Sequence, residues 1–200
     1  FEIGHHVLKD DVRMGLLYQK REQIKSLIKS LHGERVHTLQ FEINNLFSQL
    51  EESNYYYDNS LLFPDDLGYR TGFTYPHYIF DQVRKKPFNV LAIPLNVMDG
   101  TLVDAKFLWL NDNIAEKELI NFCKIFLQYG GVLSILFHAS FFWLNPDRRL
   151  KIFESLLQFF TEQGVKVGTC REICLWRSDK IRLEYNFLGN ENSCFRDVLL

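Results

Sequence analysis

Gly130-Gly131-Val132-Leu133-Ser134-Ile135-Leu136-Phe137-His138 is the stretch on which the fold turns. From Val132 to Phe137 it is an almost continuous apolar run of strand length, the pattern of a parallel strand covered on both faces. A helix is expected before it, from Ala115 to Tyr129, burying Leu119, Ile120, Cys123, Phe126 and Leu127 and stopping at Gly130-Gly131. A second helix is expected after it, from Pro146 to Gln163. Asn145 stands at its N-cap, Pro146 at its first helical position and Gly164 at its end. Val165-Lys166-Val167 reads as a further strand, and Thr169-Cys170-Arg171-Glu172 as a capping box opening a short helix through Trp176. Strand-then-helix units of this kind need crossover connections, which makes a parallel α/β sheet or barrel the natural architecture.

The same alternation extends back to the start of the chain. Phe1 to Gly4 reads as a buried strand. From Gly15 to Leu31, Leu16, Leu17, Ile24, Leu27, Ile28 and Leu31 share one helical face, with Gly33 as the stop. Arg35 to Leu39 is a short strand and Phe41 to Glu52 a helix carrying Ile43, Leu46, Phe47 and Leu50. Tyr55 to Tyr57 and Asn89 to Pro94 are strands, separated by a long loop from Asp58 to Asp81 that is dense in Gly, Pro, Asp and aromatics. Long ordered loops commonly carry function.

Composition removes several classes of function. With 46% hydrophobic and 15% aromatic residues, 200 residues hold enough apolar surface for one compact domain with a single core. A formal net charge of −2 with interspersed signs gives no continuous positive field, so no nucleic-acid partner is expected. No apolar run approaches the ~18 residues that span a bilayer, and no membrane span is expected. No glycine-rich phosphate loop follows a strand. Cys123, Cys170, Cys174 and Cys194 lack zinc-knuckle spacing and disulfide density; Cys123 reads as a buried thiol, which favours a reducing, cytoplasmic compartment.

In parallel barrels chemistry gathers at the C-terminal ends of strands. Three groups stand there: His5-His6, Arg35 with His37, and His138. His6 and Asp10 have HxxxD spacing, which on one helical turn puts two metal ligands on one face. Each strand-end histidine alone has a structural alternative, a hydrogen bond to a neighbouring loop. His32 is explained by a helix C-terminus. Glu2 serves to anchor a strand end. In the loop, Tyr69, Phe73, Tyr75, Tyr78 and Phe80 either stack on sugar rings or cover the barrel end by packing. Arg70 pairs with an acidic sugar or, internally, with Asp81 or Asp99.

Six segments in order resemble the NodB-type polysaccharide deacetylases, carbohydrate esterases built on an incomplete (β/α) barrel. They are Glu2-Ile3-Gly4-His5-His6, Arg35-Val36-His37, Tyr57-Asp58-Asn59-Ser60-Leu61, Gly68-Tyr69-Arg70-Thr71-Gly72, Pro94-Leu95-Asn96-Val97-Met98-Asp99 and Gly130 to His138. The likeness runs from Phe1 to about Trp176. It implies a mostly parallel barrel and metal-dependent removal of an acetyl group, an N-acetyl group by preference, from a carbohydrate. It further implies His6 as metal ligand with Asp10 where the family has a second histidine, zinc as the expected divalent ion, Arg35 orienting a catalytic carboxylate and His138 as general acid. Asp99 is a further catalytic candidate, and His37, Tyr69 and Arg70 are substrate-binding candidates.

The family's first motif, an aspartate pair after the first strand, has no counterpart here. The chain is therefore expected to begin one strand late, with the missing segment or a partner covering the open edge, so that an oligomer is also possible. Two alternatives remain: a non-catalytic carbohydrate-binding or scaffold barrel of the same fold, and a hydrolase or isomerase on an unrelated α/β barrel.

Overall fold

A computed structural model describes residues 2–28, 30–143 and 145–188, with side chains to residue 179. The chain starts with β1 (His5–Val7), α1 (Lys9–Arg13) and α2 (Leu17–Lys25), then β2 (Gly33–Val36), which runs into a 3-10 turn at His37–Leu39. Next come α3 (Ile43–Glu52), β3 (Tyr57–Asp58), β4 (His77–Asp81), β5 (Lys86–Ala92), β6 (Val97–Met98) and α4 (Asp99–Val103). The rest is α5 (Asp112–Tyr129), β7 (Ile135–Leu136), a 3-10 turn at Ala139–Trp143, α6 (Pro146–Glu162) and α7 (Cys170–Leu188).

The strands make two sheets, one in the order β1-β2-β3-β5-β4 and one pairing β6 with β7. Every pairing is parallel except β4 on β5. The mixed α/β class and the mostly parallel sheet follow from the crossovers, since parallel neighbours cannot be joined by tight hairpins. Where the sequence predicts a loop from Asp58 to Asp81, its last residues instead return as β4 along β5 and close that edge. The sheets meet where Ser134 Oγ, just before β7, donates to Asn59 Oδ1, just after β3, at 3.3 Å. A closed barrel is not formed: among the described residues no strand joins β1 to β7.

Several expected boundaries move. Phe1 lies outside the described residues, and the first strand begins at His5, after Gly4. The strand expected at Arg35 to Leu39 ends at Val36 because Thr38 (φ 62°) and Leu39 (φ 56°) turn left-handed. The run from Val132 to Phe137 keeps strand pairing only at Ile135–Leu136. Val165 to Val167 is not a strand: it pairs with no strand among the described residues, and Val167 is 80% exposed. The helix expected to reach Leu31 ends at Lys25. Gly33, read as its stop, opens β2 instead, beneath the Tyr57 ring, where a Cβ would stand 2.0 Å from a ring carbon.

Helix ends follow local chemistry. Glu42 caps α3 through Asn44 and Asn45, and Asn111 caps α5 through Asn113 and Ile114. The capping box at α7 forms, with Glu172 accepting from the Thr169 N–H at 2.7 Å and Thr169 Oγ1 accepting from the Glu172 N–H at 3.2 Å. Asn145 precedes α6 as expected, but its side chain donates to Asp112 at 2.8 Å and leaves the cap unmade. The core lies in layers. Val7, Val36, Leu46, Phe47, Leu50 and Phe88 pack α3 on the main sheet, and Val97, Leu119, Cys123, Ile152 and Leu156 join α5 and α6 to the smaller one. Burial pushes the Cys123 thiol up to about 12, in keeping with a thiol that packs rather than reacts. Among the described residues no helix is long and apolar enough to cross a membrane.

Candidate active site

Strand alternation sorts the two adjacent histidines. His5 and Val7 point into the buried layer while His6 points the other way. His5 is then structural: its Nδ1 lies 2.6 Å from the Tyr55 hydroxyl, and burial lowers its pKa. His6, the middle residue of β1, has its ring edge-on to His37, centroids 5.0 Å apart. The pKa of His6 is lowered, first by burial and then by His37, Arg35 and His138 acting as neighbouring positive charge. Four basic side chains from β1, the end of β2 and the end of β7 thus share one cleft, and the crowding favours the neutral imidazole at His6.

His138 follows β7 and faces Asp99, the first residue of α4 after β6. Because β6 and β7 run parallel in register, Val97 beside Ile135 and Met98 beside Leu136, their following residues emerge side by side. Asp99 is buried, and its carboxylate accepts the His138 backbone N–H at 2.6 Å, the ring Nδ1–H at 2.7 Å and the Gly100 N–H at 2.7 Å. An ionised carboxylate only accepts, so the ring proton sits on Nδ1 and Nε2 is the nitrogen left to exchange one. The His138 side chain is 47% exposed and therefore reachable.

Arg35 is half-buried, and burial lowers its pKa from the ordinary value. The resemblance gives it a catalytic carboxylate to orient. In the structure its partner is an amide: Nε donates to the Asn59 carbonyl at 3.0 Å and Nη2 to Asn59 Oδ1. A cavity of about 1300 Å³ runs beside this cleft, with His6, Arg35, Asn59 and Ser134 on one side and Phe153 and Trp176 on another.

Asp10 does not join His6. The HxxxD spacing needs one helical turn, but His6 is in β1 and Asp10 in α1, where its carboxylate pairs with Arg13 at 3.3 Å. No group of three His, Cys, Asp or Glu side chains suited to a metal occurs among the described residues. Arg70 pairs with neither Asp81, which holds Arg84, nor Asp99. It donates to the Leu62 carbonyl at 3.2 Å and lies 5.9 Å from the Phe41 ring centre. Tyr69 packs on Phe122 of α5 with its hydroxyl buried and without a partner among the described residues. Phe73 packs against His77, Tyr75 against Trp176 and Tyr78 against the Tyr57 and Leu91 cluster, while Phe80 is exposed. His32 stacks on Tyr56 rather than closing a helix. Glu2 is an anchor, accepting from the Tyr57 hydroxyl at 2.7 Å and the Arg171 N–H at 2.8 Å.

The sequence reading assigns no role to Asn59, Asn96 or Ser134, yet they hold the cleft's two halves. Their signal was there to find: Ser134 interrupts the decisive apolar run, and Asn96 interrupts the apolar stretch from Val90 to Val97.

No protein-family model matches the sequence, and no curated protein is significantly similar to it. Among solved structures it is similar to a protein from Bordetella bronchiseptica, provisionally named a polysaccharide deacetylase involved in O-antigen biosynthesis. Identity is 17% and the TM-score 0.41, over 69% of this chain; the chain spans half the length of that protein, 50%. So distant a likeness decides neither the fold nor the activity of this chain.

Proposed function

We propose that the cleft is the site of a deacetylase-like hydrolase that removes an acetyl group, an N-acetyl group by preference, from a carbohydrate, on an incomplete (β/α) barrel. The observation that carries this reading is the clamp of Asp99 on His138, which fixes the imidazole with Nε2 free at a strand end among other basic groups. Hydrolysis adds water to the acetyl carbon, the water's proton passing to solvent, and breaks the C–N bond; the departing nitrogen keeps the electron pair and needs a proton. A protonated His138 delivers it from Nε2, while Asp99 stabilises the imidazolium and prevents the ring from rotating away. Arg35, held rigid beside the cleft, supplies fixed positive charge for the oxyanion of the tetrahedral intermediate.

The same reading expects zinc on His6. When bound, such an ion polarises the acetyl carbonyl and acidifies water. The residues of this chain fit it incompletely: a catalytic zinc takes three protein ligands, and the cleft offers the imidazoles of His6 and His37 while Asp10 is engaged by Arg13. That incomplete fit and the amide partner of Arg35 favour a second reading, a cleft that binds carbohydrate without cleaving it.

Acetate release from an N-acetylated chitooligosaccharide separates the two. The deacetylase reading expects turnover that falls about 10²–10⁴-fold in His138→Ala and in Asp99→Asn, with KM little changed. Turnover at the wild-type level in His138→Ala overturns it, and saturable binding without acetate release supports the second reading.

A further inference from the structure

Asn59 and Asn96 are both almost fully buried, at 1% and 0% exposure, in a layer otherwise built from Ile93, Leu95 and Val97. An amide there costs stability unless all its groups are paired. For Asn59 they are. Its Nδ2 donates to the Ile93 carbonyl at 3.0 Å and the Pro94 carbonyl at 3.3 Å, and its Oδ1 accepts from Arg35 Nη2 and from Ser134 Oγ at 3.3 Å. Both donors and both lone pairs are in use, so the network fixes which way the amide faces.

The location explains why an amide is there. The chain of β5 follows β3 through Ile93, whose N–H donates to the Asp58 carbonyl at 2.8 Å; it then leaves the main sheet, and Pro94 has no N–H to continue a ladder. Asn59 spans that break. On its far side Asn96 takes both backbone groups of Ser134, accepting its N–H on Oδ1 at 2.9 Å and donating its own N–H to the Ser134 carbonyl at 3.0 Å. Asn96 Nδ2 ties the loop in as well, through the Gly68 carbonyl at 3.2 Å. A continuous polar bridge therefore runs from Arg35 through Asn59 and Ser134 to Asn96. From its far end the chain continues directly to both Asp99 and His138.

We propose that Asn59 is a positioning residue. It holds the Arg35 guanidinium in one orientation through two acceptors, and through Ser134 and Asn96 it ties that cation to the strands carrying Asp99 and His138. As a statement about the reaction, this rests on the hydrolase reading; as a statement about Arg35, it does not. A strand staple alone would need only the two donations to Ile93 and Pro94. The acceptor side of the amide is what serves Arg35.

Asn59→Ala and Asn59→Asp separate these uses, because both lose the donations to Ile93 and Pro94 and both keep the backbone carbonyl that accepts Arg35 Nε, while only Asp keeps a side-chain acceptor for Arg35 Nη2 and Ser134 Oγ. The spectroscopic measurement is the nitrogen NMR of the Arg35 guanidinium, whose two Nη signals stay resolved only while rotation about Nε–Cζ is restrained. Resolved signals are expected in the wild type and Asn59→Asp, and one averaged signal in Asn59→Ala. Averaged signals in the wild type, or resolved ones in Asn59→Ala, overturn the proposal. Acetate release is the second measurement: kcat should fall about 100-fold in Asn59→Ala at nearly constant KM and recover in Asn59→Asp, although both variants melt lower than the wild type. Equal loss of kcat in both variants identifies a purely structural residue and overturns the role in catalysis. If the wild type releases no acetate while the NMR pattern is as expected, the hydrolase reading fails and the Arg35 clamp stands.

Discussion

Replacing Glu34 by Gln should stabilise this protein at alkaline pH, although it removes a side chain that is 2% exposed from the middle of a sheet. Glu34 on β2 and Asp58 on β3 are register partners in a parallel pair, so their carboxyls lie on the same face. Neither oxygen of Glu34, nor Oδ1 of Asp58, has a hydrogen-bond partner of normal geometry among the described residues; Asp58 Oδ2 accepts from the Ser60 N–H at 3.1 Å. The pKa of Glu34 is raised well above the carboxylate range, by burial first and by Asp58 next. Burial also raises Asp58, against the opposing pull of Glu34, Ser60 and Arg35. Two carboxyls buried on one face of a sheet repel when both are ionised, which favours a single proton held between them.

A folded pKa above the unfolded one gives stability that is complete below the unfolded carboxylate value of about 4.3 and is lost as pH rises through the folded value. Gln mimics the protonated acid at every pH, and its amide can donate to the vacant Asp58 Oδ1. An unpaired buried polar group costs about 1–3 kcal/mol, and for a domain of this size each kcal/mol moves the melting temperature by about 2–4 °C. Thermal melts of wild type and Glu34→Gln from about pH 4 to pH 9 should nearly coincide at the acid end and separate by about 2–12 °C at the alkaline end. A variant less stable at pH 9, or offset by the same amount at every pH, would refute the shared proton.

Gly33→Ala should destabilise the chain by at least the ~1–3 kcal/mol of an overpacked core, because the new Cβ would meet the Tyr57 ring at 2.0 Å and strip Glu2 of the Tyr57 hydroxyl. In urea melts the loss should largely vanish in a Tyr57→Ala background; full additivity of the two substitutions would count against the clash. Zinc titrated into this chain by calorimetry should bind weakly, with binding abolished by His6→Ala and retained by Asp10→Asn, since Asp10 is engaged by Arg13. Stoichiometric zinc that survives His6→Ala would place the metal elsewhere.

What the sequence disclosed, and what it withheld, divides by the range of the interaction involved. His138 was legible because the apolar run from Val132 to Phe137 ends at it, and a polar residue that ends a buried strand must face a loop or a cleft. Asp99, which follows β6, was placed on the same local ground, whereas His6 and Arg35 lie inside β1 and β2 and do not end them. The strand at Val165 to Val167 failed on that ground too: alternation fits a strand, but pairing needs a neighbour, and nothing in three residues tells whether one exists. β4 went unseen because its pairing with β5 is a tertiary choice made by a segment rich in turn residues and aromatics.

The partners were harder still. Nothing near Arg35 in the chain announces that an asparagine 24 residues on accepts two of its hydrogens, one on its backbone carbonyl and one on its amide oxygen, or that the same amide oxygen accepts the hydroxyl of Ser134, 75 residues from Asn59. That arrangement follows from the strand order, which brings β3 between β2 and β5, and from the break in the ladder at Pro94. The local trace it leaves is a polar residue where the apolar pattern asks for another, at Ser134 and at Asn96. A buried amide persists in such a place only if its pairing repays its desolvation. Interruptions of an otherwise apolar strand are therefore where a reader of sequence should look for the residues that hold a site together, as distinct from those that end strands and act within it.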